Sequence, residues 1–414
     1  MRGMYPACSE YLACGLGEQS MRVAALTAWH VRIPLRKPIR HASHTRADTD
    51  NLIVRCTLAD GTIGFGEGVP RSYVTGETIE SALALLKSSD LKSQLDDCPD
   101  FARAVRLAEE LRLAPVPGDD RKCQGNAARC AVELALLDAF GRHFHEPLQN
   151  VVKIVAADLF EARDWVRYSG AITSAQGRKL RFLTWILWIY GFRQLKVKVG
   201  IAGQDDVDRL GAVRRRMGKK VDLRIDANES WSPAEAEIRI AQFEPFGISA
   251  VEQPVPHTYA AKLADIRRQV KTPIMLDESL CSLVDAERAW EGQWCDLFNL
   301  RLSKCGGFIP SLRLAQFARG KGLGYQLGCQ IGESAILSAA GRHFAAAVRD
   351  LRYLEGSYDR HLVREALGTR DITFGWGGWA PALIESGRGG LGIDIDMAAL
   401  ERVAVRKEEL MNDK

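Results

Sequence analysis

A chain of 414 residues is longer than one simple core organises, and two domains are expected. Hydrophobic residues make up 46% and charged residues 26%, an ordinary balance for a folded protein, and a net charge of +4 with both signs interspersed argues against nucleic acid as the main partner. No stretch reaches the ~18 apolar residues that a membrane span requires.

The first twenty residues, MRGMYPACSEYLACGLGEQS, lack the basic start and apolar centre of a signal peptide, so 1–20 is expected to be a disordered extension or a misassigned start. The ten cysteines form no CxxC pair or regular framework. Cys56, Cys130, Cys281, Cys295 and Cys305 fall in apolar or strand-like runs, which predicts buried, reduced thiols in a cytoplasmic protein.

Residues 21–160 begin β-rich. MRVAALTAWHVRIPL opens at Met21, and NLIVRCTLADGTIGFGEG alternates apolar and polar residues around the hairpin turn Asp60-Gly61. Between them RKPIRHASHTRADTD, polar and basic, reads as a mobile loop. Helical spacing follows: NAARCAVELALLDAFGRHF sets Ala127, Cys130, Leu134 and Leu137 on one stripe. From 161 to 370 strands and helices alternate. The candidate strands are VRYSGAIT, QLKVKVG, DLRIDAN, ISAVEQP, PIMLDES, LFNLRLS, GYQLGCQ and LRYLEGS. Repeated βα units of this size imply a parallel sheet, and this many suggest closure into a barrel. FLTWILWIYGF, 182–192, reads as a buried helix. The segment 371–414 holds GLGIDIDMAALERVAV, with a short strand expected to return to the first domain.

In such a barrel, chemistry gathers at the C-terminal strand ends. Here those ends are charged in consecutive units: Lys196 and Lys198, Asp226 and Asn228, Glu252, Asp277 and Glu278, then Arg301. Three carboxylates from successive strands, with no histidine or thiol beside them, suit a hard cation such as Mg²⁺. Salt bridges to the lysines at the barrel mouth are the plainer alternative. Lys196 and Lys198 have the spacing of one strand face, where two ammonium groups depress each other's pKa and one can act as a base. A solvated pair is the commoner meaning of KxK alone.

The ordered set KVKVG, DAN, VEQP, LDES and NLRLSKCGG resembles the enolase superfamily, and within it the mandelate racemase/muconate lactonizing enzyme family. That branch includes muconate cycloisomerases, dipeptide epimerases, N-succinylamino acid racemases and o-succinylbenzoate synthases. The resemblance runs from Met21 to the GLGIDID tail. It implies an α/β fold: a modified (β/α)₇β TIM barrel over 161–370, with an α+β capping domain built from 21–160 and 371–414. It implies Mg²⁺ on Asp226, Glu252 and Asp277, Lys198 as the base that takes the proton α to a substrate carboxylate, and Lys196 as its electrostatic neighbour. Asn228 and Glu278 would orient these groups. The partner is a small-molecule carboxylate, with a homo-oligomer left open.

The sequence departs from the family on the sixth strand. Racemases and epimerases of this branch carry a lysine in N-x-K ahead of a glycine pair, and that position holds Arg301 here. Asn299 and Arg301 share a strand face, which leaves Lys304 in the turn or pointing elsewhere unless a bulge turns it inward. An arginine is a poor general base. The expectation is therefore a one-base cycloisomerase or lyase, with racemisation or epimerisation of an amino acid or dipeptide as the alternative. A non-catalytic metal-binding barrel and a barrel hydrolase remain as readings of other classes. For the substrate, Arg40, His41, His44 and Arg46 on the basic segment, with Tyr73 and Thr75, suggest a flap over a polar distal group. Gln330, Glu333 and Glu355 are expected to complete the pocket, Glu355 standing where dipeptide epimerases carry D-x-D.

Overall fold

The computed structural model describes residues 20–40, 45–384 and 387–412. Its first layer is an antiparallel sheet of β1 (Val23–Arg40), β2 (Thr45–Leu58) and β3 (Ile63–Gly68), extended at the β1 edge by the C-terminal strand Ala404–Asn412. Against it pack α1 (Ile79–Ser88), α2 (Phe101–Glu110), α3 (Asn126–His143) and α4 (Asn150–Val155). α3 is buried on nearly every side from Ala127 to Gly141 rather than along one stripe. The alternate glycines of β3 permit this: a Cβ on Gly64, Gly66 or Gly68 would collide with the α3 backbone at Ala139, Ala131 or Ala127.

The second body is the barrel. After β4 (Trp165–Arg167) come β5 (Gly170–Ile172), α5 (Gly177–Ile189), β6 (Gln194–Lys198), α6 (Asp206–Met217), β7 (Asp222–Asp226) and α7 (Pro233–Phe243). β8 (Ile248–Glu252), α8 (Leu263–Gln269), β9 (Ile274–Leu276), α9 (Leu283–Glu291), β10 (Leu297–Leu300), α10 (Phe308–Gly320), β11 (Gly324–Leu327), α11 (Ala335–Ala347) and β12 (Leu351–Leu354) complete it. The strands from β5 to β12 are parallel and ordered as in sequence. A backbone bond from Ser169 N to Leu354 O, 2.8 Å, joins the first strand's approach to the last strand. The (β/α)₇β expectation is met. Local chemistry sets the boundaries: α7 opens with Ser232 as N-cap, Pro233 at its first position and Glu235 reaching back to Ser232 N at 3.0 Å. Past the barrel lie α12 (Asp359–Leu362), β13 (Trp379–Pro381), α13 (Met397–Val403) and β14 (Ala404–Asn412).

Three local expectations change. VRYSGAIT is two strands, of which β4 leaves the barrel to pair antiparallel with β13. The basic segment after Pro34 is largely the arm of a long β1–β2 hairpin, with Ile39 opposite Arg46 and Arg40 opposite Thr45. The arm is pinned to the barrel side by Arg36, whose Nε donates to Arg360 O (2.7 Å) and Val363 O (3.0 Å). FLTWILWIYGF is helical but not buried: α5 turns Leu180, Thr184 and Leu187 inward and leaves Phe182, Trp185 and Trp188 outside.

Buried acids tie the two bodies together. Glu67, at the end of β3, accepts from Ser334 N (2.9 Å), Ser334 Oγ (2.8 Å), Leu337 N (3.0 Å) and Asn51 Nδ2 (2.6 Å), so it caps α11 from the other domain. Glu133 of α3 does the same for α10, accepting from Phe308 N (2.5 Å) and Ile309 N (3.2 Å). Each carboxylate meets the positive end of a helix and satisfies amides that have no partner inside it.

Candidate active site

The C-terminal ends of β6 to β10 carry the charged residues, and a parallel sheet delivers all of those ends to one rim. Along β6, Lys196 and Lys198 lie on the inward face. Lys196 Nζ reaches Glu355 Oε2 at 2.7 Å, Glu252 Oε2 at 3.4 Å and Asp226 Oδ2 at 3.5 Å. Burial disfavours its charge, but Glu252, Glu355 and Asp226 outweigh that and hold its pKa above the usual lysine value. Lys196 is therefore not depressed in the way the KxK spacing suggested, because carboxylates, not its neighbour, dominate it. Lys198 Nζ bonds Asn228 Oδ1 at 2.7 Å and is less deeply buried.

Asp226, Glu252 and Asp277 end three adjacent strands or follow them directly, and all are buried. Arg301, just past β10, is turned inward: its guanidinium bonds Asp277 Oδ2 and lies 3.4 Å from Glu252 Oε1. Burial opposes its charge, yet Asp277 and Glu252 raise its pKa well above the ordinary arginine value. Among the described residues no three acid, imidazole or thiol groups are gathered closely enough to grip an ion. Instead the acids hold the chain's own cations, Lys196 and Arg301, since three buried carboxylates need positive charge nearby. The donor set still fits a hard divalent cation. It is all oxygen, and Asp226 Oδ2 accepts no hydrogen bond although it is buried. Glu278 Oε2 is also without a partner; burial and neighbouring Asp277 raise that carboxyl's pKa well above the usual range.

Lys304 sits in the turn after β10, but its side chain points inward and is fully buried. Nζ donates to Asp277 O (2.6 Å), Asp277 Oδ1 (2.9 Å) and Asn299 O (2.9 Å). It holds Asp277 from behind and is closed off from substrate. Asn299 does likewise for Glu252, with Nδ2 2.7 Å from Oε1.

Glu355, expected to meet substrate, is instead held by Lys196 and by Arg224 Nη2 at 2.5 Å. Burial raises its pKa, but those cations overcome this and bring it to about 2. Arg224 went unread in the sequence, although it lies two residues before Asp226 and so shares its strand face. Glu333 Oε1 accepts from Gln330 N at 2.6 Å, and burial pushes its carboxyl up to about 8. Gln330 Nε2 reaches Val69 O of the capping domain at 3.3 Å. A narrow pocket of about 10 Å³ is lined by Glu333, Glu355, Leu302, Gly328 and Tyr168. Tyr73 lies under the Arg46 guanidinium, 5.3 Å from ring centre, beside buried Arg71, which bonds Thr49 Oγ1 (2.7 Å) and Ile331 O (2.9 Å). His41 and His44 lie outside the described residues.

Comparison with known proteins now adds to the geometry. Residues 23–152 match the mandelate racemase/muconate lactonizing enzyme N-terminal domain, and residues 186–399 match the enolase C-terminal domain-like model. The chain belongs to the mandelate racemase/muconate lactonizing enzyme family. An N-succinyl-L-Arg/Lys racemase of Bacillus cereus is 27% identical over 386 residues, covering 93% of this chain and 98% of that one. An L-Lys-D/L-Arg epimerase of Methylococcus capsulatus is 32% identical over 352 residues, covering 82% and 91%. Among solved structures, a dipeptide epimerase from Cytophaga hutchinsonii complexed with Mg and D-Ala-L-Val superposes with TM-score 0.79 at 25% identity, covering 94% of this chain and all of that chain. These relatives are racemases and epimerases, so within the family they favour isomerisation at one carbon over the cycloisomerase expected from Arg301.

Proposed function

We propose that this enzyme is a Mg²⁺-dependent racemase or epimerase acting at the α-carbon of an amino-acid-derived carboxylate, such as a dipeptide or an N-acyl amino acid. One observation carries the reading: Lys198 and Arg301 stand on β6 and just past β10, four strands apart around an eight-stranded barrel, with the three acids on the strands between. Asp226, Glu252 and Asp277 are the residues that would hold the cation, whose charge offsets the negative charge that develops on the substrate carboxylate. Lys198 takes the α-proton from one face, and Asn228 fixes its amine. Lys196 stays protonated and faces the developing charge. On the other face Arg301 cannot accept a proton, and Glu333, protonated at neutral pH after the adjacent strand, is the proton-bearing group that returns one to carbon.

Arg301 also supports a second reading, in which Lys198 alone serves as base and acid and the product is that of a cycloisomerisation or elimination. Proton NMR in D₂O on both epimers of N-succinylarginine and of Ala-Glu separates the two. Inversion with solvent deuterium at the α-carbon, lost with EDTA and restored by Mg²⁺, is the expected result. Exchange of one epimer without inversion selects the second reading. No exchange with any α-amino-acid carboxylate overturns the first.

A further inference from the structure

Two buried thiols meet across the joint between the capping domain and the barrel. Cys123 lies in the loop between α2 and α3, and Cys281 follows β9, a little past Asp277. Their side chains pack together with Val74 and Tyr73 in a small cluster of their own. Each sulfur lies against one of two successive carbonyls, Cys281 Sγ 3.9 Å from Val74 O and Cys123 Sγ 3.8 Å from Thr75 O. The Cys123 thiol donates a hydrogen bond to the Cys281 sulfur. The backbone around both is pinned. Arg121 Nη2 donates to Glu278 O (2.9 Å) and pairs with Asp285 Oδ2 (2.9 Å), and Asn126 Nδ2 donates to Cys281 O (2.8 Å). In return Ser282 Oγ donates to Arg121 O (2.5 Å). These bonds flank each cysteine and hold the two thiols face to face.

We infer that this pair is a redox site, at which a peroxide oxidises the two thiols to a disulfide that fastens the capping domain to the barrel. Cys281 is the nucleophile. The hydrogen bond from Cys123 lowers its pKa, and although burial opposes this, Lys304 and Arg121 favour the thiolate. Burial instead pushes Cys56, Cys98, Cys130, Cys295, Cys305 and Cys329 upward. The Cys281 thiolate takes one peroxide oxygen and becomes a sulfenic acid, while the other oxygen is protonated and leaves as water. The Cys123 sulfur then displaces the sulfenic oxygen as a second water and closes the S–S bond. The peroxide gains the two electrons that the thiols lose. Entry lies on the Cys123 side, because Cys123 is 3% exposed and sits between exposed Lys122 and Gln124, whereas Cys281 is fully buried. Lys122 has a φ of 51°, a left-handed state unfavourable for lysine, which lowers the cost of opening that turn.

Hydrogen peroxide added to the full chain, then alkylation in urea and a peptide map run without reductant, tests this. A peptide joining Cys123 to Cys281, two hydrogens lighter than its parts and separated by dithiothreitol, is expected. The oxidised protein is expected to unfold roughly 5 °C above the reduced one, since the cross-link restricts the unfolded chain. Cys123→Ser is expected to unfold like the reduced wild type and to gain nothing from peroxide, with Cys281 trapped by dimedone as sulfenic acid. Should that variant fold poorly, the wild-type map and the two wild-type midpoints decide alone. Both cysteines still open to alkylation, a linkage through other cysteines, or sulfinic acid at Cys281 in place of the linked peptide overturns the inference. A midpoint that peroxide leaves unchanged or lowers does so as well.

Discussion

Arg301 and Lys304 are three positions apart and both cationic, yet they do different work. The alternation of β10 puts Arg301 among the acids, and the turn that follows carries Lys304 underneath Asp277, where no substrate atom reaches. Lys304→Met should leave Asp277 a buried charge lacking one partner, lowering stability by about 3–5 kcal/mol in urea unfolding and weakening Mg²⁺ binding by calorimetry. Lys198→Ala should slow α-proton exchange by roughly 10²–10⁴-fold while the fold stays intact by circular dichroism. Arg301→Lys introduces an amine that can lose its proton on the face opposite Lys198. It should raise the ratio of inversion to exchange in D₂O, and an unchanged ratio would show that Arg301 does not face the reacting carbon. His343 tests a different balance. Burial lowers its pKa to about 4, with Nε2 donating to Leu391 O at 3.1 Å and Nδ1 unpartnered. A folded pKa below the unfolded one gives stability that is complete above about 6.5 and lost as pH falls toward 4. His343→Gln should flatten that part of the stability profile, read as midpoint against pH.

Elements carry the contacts between the two bodies. β3 approaches α3 through three glycines and ends on Glu67, which caps α11; α3 in turn offers Glu133 to α10. These helix starts follow β11 and β10, so the capping domain holds the loops that carry Glu333 and Lys304. Glu67→Ala removes an acceptor from four donors and should lower stability by about 3 kcal/mol, with KM raised more than kcat as the loop after β11 loosens. Several elements were legible because their signals are local. The Asp60-Gly61 turn and the βα alternation need only neighbouring residues. The hairpin arm was not legible, because Arg36 stabilises it through carbonyls more than 320 positions away. Nor was the exposure of α5, since apolar content alone cannot tell a buried helix from one that leaves its aromatic residues outside.

At the scale of the molecule, the spacing of charged strand ends along the chain named the family, because a barrel brings every strand's C-terminal end to one rim. Sequence order alone therefore pointed to a parallel sheet closed into a barrel and to the set of polar residues that share that rim, and the resemblance of the motifs to the family implied the (β/α)₇β form. Which of them touch was decided only by the folded chain. Glu355 was set apart for substrate and is held by Arg224 across the barrel, and Lys196 is kept charged by three acids from three other strands. Such pairings depend on distances across a closed sheet, and periodicity within a strand carries no information about what faces it from the opposite wall.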